Sequence, residues 1–237
     1  MRKLWTSLLW LKVTSLAAAP PAQPHGDQIF TYVQAEQLEY RAATEGSDTF
    51  SWDVRGWAGG DYNRIWFKAQ GDDRIDGPVD NGELQVRYSR LVTPFWDLAV
   101  GARYDVKPDP SRAYGVLALH GLGPYLYEVD ADVFVSEEGD VSARLEVEYP
   151  LLLTQKLILQ PSFEVDLAVQ EVEELGVGPG LSQVELGLRL RYEIVRELAP
   201  YVGFVWERKV GRTADLAEGD GEEFDIPAFV AGVRFWF

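Results

Sequence analysis

Six stretches of this chain alternate apolar and polar residues over nine to thirteen positions, and no other property narrows its fold as far. In 184–194, Val184, Leu186, Leu188, Leu190, Tyr192 and Ile194 alternate with Glu185, Arg189, Arg191 and Glu193. Segments 141–149 and 157–169 repeat the pattern, as do 49–58 and 83–92. In 62–70, Ile65 and Phe67 alternate with Arg64 and Lys68, and Trp66 breaks the rule. Side chains of a strand alternate between its two faces, so each stretch is an extended strand with one apolar face. Strands of soluble proteins usually run about 5–6 residues. A tilted strand that crosses a bilayer needs about 9–11. The polar faces carry both signs of charge, which fits apolar side chains outward and Arg and Glu inward across a wet lumen. No helical period of 3.6 is sustained, and no internal repeat of about 20–50 residues appears.

The final strand adds a second constraint. Phe229, Ala231, Val233, Phe235 and Phe237 share one face, and the last residue is aromatic. This resembles the closing strand of bacterial outer-membrane barrels, in which a C-terminal aromatic is the sorting signal. An apolar edge strand left open invites aggregation. Closure against the first strand removes the edge.

Strands are expected near 30–42, 49–58, 62–70, 83–92, 95–105, 112–120, 125–135, 140–150, 156–169, 183–194, 200–209 and 227–237. The connections between them alternate. Those at 59–61, 92–94, 121–124, 151–155 and 196–199 are short or apolar. Those at 43–48, 71–82, 106–111, 136–139, 170–182 and 210–226 are mostly longer and acidic. Short periplasmic turns and longer outer loops are the rule in such barrels, and an even strand number places both termini with the short turns. The expected fold is therefore all-β: a transmembrane, antiparallel, up-and-down β-barrel of about twelve strands over residues 28–237, in the outer membrane. Eight strands fill with side chains and 16–18 leave a channel, so twelve give a narrow or occluded lumen.

Composition agrees and excludes other classes. There is no Cys, so disulfide frameworks, thiolate metal sites and Cys nucleophiles are ruled out. A formal charge of −16 argues against nucleic acid, which needs a basic surface. No apolar run is long enough for a transmembrane helix. Residues 1–27 read as a signal-like segment and linker: Arg2 and Lys3, an apolar stretch to Leu16 interrupted by Lys12, then Ala17–Ala19 and three Pro.

Enzymatic chemistry finds little support. A Ser/His/acid hydrolase needs a base. The chain has two His, His25 in the linker and His120 near a strand end, and no signal selects a partner Ser. No phosphate loop or helical zinc pair is present. Metal binding has a firmer basis. Glu128, Asp130 and Asp132 share one face of a strand, with spacings of about 6.5–7 Å. Glu146 and Glu148 occupy the polar face of the next. Together with His120 these six are the candidate metal ligands. Two acidic rows collect divalent cations unless luminal Arg neutralises them, and pairing with Arg is the plainer reading. Met1 is the only Met, so a copper site in the barrel must use His and carboxylate, which suits Cu(II). The acidic run Asp215–Asp225 reads as a solvated loop.

Several runs resemble the copper resistance protein B family of the outer membrane. They are Gly56–Arg64, Tyr88–Arg90 with Pro94–Asp97, Gly101–Asp105, Asp140–Glu146, Leu151–Gln155, Glu185–Glu193, Ala199–Gly203 with Trp206–Lys209, and the ending at Phe237. The resemblance covers about residues 30–237. It implies a monomeric outer-membrane barrel in copper resistance that binds copper and exports or sequesters it through a polar lumen. The implied partners are outer-membrane lipid, copper ions and a periplasmic copper protein. Members often carry a Met- and His-rich arm before the barrel; residues 1–28 here hold one His after Met1, and no arm residue is carried over. A small diffusion channel for another solute is the alternative.

Overall fold

The computed structural model describes residues 28–237 except 45 and 76–78, so the signal-like segment 1–27, with His25, lies outside the described residues. The strands are β1 (Phe30–Ala43), β2 (Thr49–Gly59), β3 (Asn63–Arg74), β4 (Val79–Thr93), β5 (Trp96–Lys107), β6 (Arg112–Leu122), β7 (Glu128–Ser136), β8 (Val141–Glu148), β9 (Leu151–Leu152), β10 (Leu157–Ala168), β11 (Gly180–Tyr192), β12 (Leu198–Lys209) and β13 (Asp225–Trp236). Apart from β8 and β9, each pairs antiparallel with its chain neighbours around the ring. Both β8 and β9 pair with β10. They are one stave broken at Tyr149-Pro150, where proline has no N–H to give the ladder. The result is a closed barrel of twelve staves, as expected.

Closure is carried by the chain end. Val33 N donates to Phe237 O at 3.0 Å, and Phe237 N donates to Val33 O at 2.9 Å. The outer face is apolar, for example Leu186, Leu188, Leu190 and Tyr192 on β11. Tyrosines on this face reach polar groups at both rims: Tyr88 bonds Asn63 at 2.9 Å and Tyr104 bonds Ser111 at 3.1 Å. Such rings belong at the lipid–water interfaces.

The polar faces turn inward and cross-link. Glu39 is fully buried and accepts both arms of Arg189 (2.8 and 2.9 Å), Tyr201 Oη (3.0 Å) and Arg41 Nε (2.9 Å). A bulge in β1 between Ala35 and Glu39 changes the side-chain parity, so Glu36 and Glu39 both face the lumen. Glu36 pairs with Arg55 at 2.8 Å and Arg234 at 3.1 Å. Gly187 makes room for this network: a Cβ there would lie 2.2 Å from Ser162 Oγ and 2.8 Å from Arg189 Nη1. A cavity of only ≈ 10 Å³ remains at this level, lined by Glu36, Glu148, Gln160 and Arg191. That is room for about one water.

Two expectations need correction. The acidic connection at 71–82 is mostly strand, because Gly71–Arg74 continue to pair with Trp52–Thr49 of β2. The run within 210–226 is not a plain solvated loop. It contains helix α1 (Gly211–Asp220), which buries Thr213 and Ala217. Gly221, at φ 76°, ends it by returning its N–H to Ala217 and Glu218. One buried face over ten residues is too short to stand out as a period in an acidic run.

Candidate functional site

The first and last described residues and the short connections lie at one end of the barrel, which by the turn-length rule faces the periplasm. There the lumen opens into a vestibule of ≈ 430 Å³. Its walls include Tyr32, Arg64, Trp66, Asp97, His120 and Glu128. Strand register builds it: Asp97 of β5 stands opposite His120 of β6, which stands opposite Asp130 of β7.

His120 Nδ1 is 2.8 Å from Asp130 Oδ1. A carboxylate on one ring nitrogen orients the imidazole and leaves Nε2 as the nitrogen for a ligand. The Trp66 ring lies 5.5 Å from the His120 ring. Trp66 in turn neighbours Trp57 (6.2 Å), Trp57 neighbours Tyr32 (6.3 Å), and Tyr32 neighbours Trp236 (5.9 Å). Arg64 sits over Trp57 at 4.6 Å. Inward aromatics from four adjacent staves, β13, β1, β2 and β3, thus line one side of the mouth, with a histidine beside them.

All six sequence candidates lie on the luminal side, but they do not converge. His120 and Glu128 line the vestibule, with Asp130 behind His120. Asp132 is held by both arms of Arg87, one of them at 3.0 Å. Glu146 faces Lys68 at 3.7 Å, and Glu148 accepts from Gln160 at 2.8 Å. Among the described residues, no group of three or more His, Asp or Glu is arranged to hold a metal ion. The arrangement offers one imidazole and neighbouring carboxylates rather than a closed coordination cage.

The sequence reading missed the aromatic wall. Trp57, Trp66 and Trp236 face inward, and the sequence pattern had marked Trp66 only as a break in the alternation. The signal was present: Trp66 stands at the parity of Arg64 and Lys68, and its Nε1 donates to Ser89 Oγ at 3.1 Å. A tryptophan on the polar face of a membrane strand marks the lumen.

Comparison with known proteins agrees with this architecture. Residues 29–237 match the family described as Copper resistance protein B precursor (CopB). Copper resistance protein B of Escherichia coli is 43% identical over 213 residues, covering 90% of this chain and 71% of that protein. The Copper resistance protein B homolog of Pseudomonas syringae pv. tomato (strain ATCC BAA-871 / DC3000) is 40% identical over 215 residues, covering 91% and 72%. Among solved structures, the NanC porin aligns with a TM-score of 0.55 at 12% identity, covering 87% of this chain and 99% of that one. The KdgM porin aligns at 0.51 and 8%, with the same coverage. The porins establish the fold alone, an outer-membrane barrel. The family match and the two relatives establish more: this chain belongs to the copper resistance protein B family.

Proposed function

We propose that this barrel captures Cu(II) in its periplasm-facing vestibule and passes it outward through the polar lumen. The observation that carries the reading is the pairing of His120 Nδ1 with Asp130, which leaves Nε2 free on the wall of an open cavity that also holds Glu128. Imidazole with carboxylate oxygen suits Cu(II). The rest of the coordination shell is supplied by water or by the donor that delivers the ion, so binding is loose enough to release a cargo.

Isothermal titration of the detergent-solubilised barrel with Cu(II) tests capture. The expected result is binding that His120→Ala strongly weakens. Absent binding in the parent protein, with no loss of copper tolerance on deletion, would remove the copper role. The ion-paired mid-lumen argues against a standing diffusion channel for another solute. Steady, copper-independent conductance in planar bilayers would favour that channel instead.

A further inference from the structure

From the register of the barrel wall we infer a cation path: five carboxylates, one per stave, climb from the vestibule to the outer rim. The inference rests on the proposed passage of copper and names its route. Asp130 of β7 is opposite Glu146 of β8, and Glu146 is opposite Glu164 of β10. Glu164 is opposite Glu185 of β11, and Glu185 is opposite Glu207 of β12. Directly opposed residues are about 4.5–5.5 Å apart at Cα. Staves tilt, so a row perpendicular to them climbs: four steps of ≈ 4.8 Å at about 40° rise roughly 12 Å. The endpoints agree with that climb. Asp130 is the third residue of β7, counted from the periplasmic side, and Glu207 is third from the outer end of β12.

Stability alone does not account for this row. Like charges directly opposed across a sheet are destabilising, and a wall built to hold itself together alternates sign. Here the neutralising cations are not in the row. They reach it on long side chains, mostly from other staves. Arg55 of β2 lies 4.0 Å from Asp130, and Lys68 of β3 lies 3.7 Å from Glu146. Arg144 lies 3.2 Å from Glu164, and Arg41 of β1 is 3.1 Å from Glu185 and 3.9 Å from Glu207. Each carboxylate of the path therefore carries a tethered cation that a mobile one must displace.

A second observation marks the weakest point of this tether. Lys68 Nζ is shared at 3.7 Å between Glu146 and Asp53. Asp53 is buried, and its Oδ1 has no partner. One ammonium thus serves two carboxylates, and a carboxylate oxygen stays free beside the row. A buried, unpaired acceptor of this kind is costly unless a cation visits it. The ligands are hard oxygen donors, so the cargo class is a divalent, oxygen-coordinated cation: Cu(II) rather than Cu(I).

The test is Cu(II) uptake into proteoliposomes of the whole barrel, read with an entrapped fluorescent copper chelator. Retention of a second entrapped dye shows that the vesicles stay sealed, and heat-modified gel mobility shows that the barrel is folded. Glu164→Gln and Glu185→Gln keep hydrogen-bonding shape and remove charge; each should slow uptake about tenfold. Lys68→Gln should speed it several-fold, a gain that a misfolded barrel in sealed vesicles does not produce. Asp105→Asn removes a luminal carboxylate off the path and should leave the rate unchanged. Normal uptake by the two Glu variants would overturn the path while leaving copper passage intact. A parent barrel that binds Cu(II) but takes none up would overturn the path and the export half of the function, and leave capture standing.

Discussion

The two ends of this barrel use the same residue types in opposite ways. At the periplasmic end, His120 and Asp130 leave a donor nitrogen beside a cavity of ≈ 430 Å³, with the aromatic wall along one side of the mouth. At the outer end, charges are spent on one another. Arg112 is buried and holds Asp140 at 2.6 Å, Glu138 at 3.0 Å and Glu174 at 3.5 Å. Gln170 bonds Gly139 O and Asp140, which joins two outer loops. Thr213 of α1 accepts from Gly178 N at 2.9 Å, and Arg212 pairs with Glu171 at 2.8 Å. One end is built to receive and the other is stitched. That asymmetry agrees with the proposed function, in which the vestibule is the end that takes up copper.

The largest expected effect tests the receiving end. His120→Ala removes the only imidazole among the described residues and should weaken Cu(II) binding about a hundredfold by titration calorimetry. Asp130→Asn keeps the shape but lets the ring turn. Loss of such an orienting partner typically costs about 10–100-fold, and the lower figure is expected, since Glu128 stays in place. If both variants bind copper normally, the vestibule is not the receiving site and the contrast between the ends fails.

The stitched end predicts a different readout. Arg112→Met should destabilise the outer loops by about 1–2 kcal/mol. The full penalty of a broken buried pair, about 3–5 kcal/mol, does not apply, because two of the three carboxylates it frees are largely exposed and rehydrate. Faster proteolysis between 169 and 179, with unchanged Cu(II) affinity, is the expected pair of results. Altered affinity would mean that the two ends are coupled.

The contrast between the ends also separates what the sequence discloses from what it hides. Alternation placed the staves closely: 49–58 was expected and Thr49–Gly59 is found, 157–169 alternates and Leu157–Ala168 is found. Period two is a local property and needs no partner. The common face of Glu128, Asp130 and Asp132 was likewise legible. What those groups touch was not. Arg87, which claims Asp132, comes from β4, and Lys68, which faces Glu146, comes from β3. Those contacts exist only once the ring closes, and no spacing along one strand reports them. Helix α1 was hidden for the same reason, since its buried face is set by segments distant in sequence, such as Gly178, whose N donates to Thr213.

The smallest effect concerns how α1 is tied down. Lys209, at the end of β12, donates to Glu222 at 2.9 Å and holds that carboxyl below its ordinary range. A carboxyl lowered in the folded protein stabilises above its unfolded pKa of about 4.3, and the contribution is lost as pH falls through the folded value. The tie should therefore hold the segment after α1 at neutral pH and release it only in acid. Both groups are partly in water, so no more than a few tenths of a kcal/mol is at stake. Amide exchange across 210–224 measures it: Glu222→Gln should exchange slightly faster than the parent at pH 7, and the difference should shrink as pH falls below the unfolded value and vanish below the folded one. Equal exchange at pH 7 would assign the protection of this segment to the packing of Thr213 and Ala217, and would make the stitching of the outer end apolar rather than ionic.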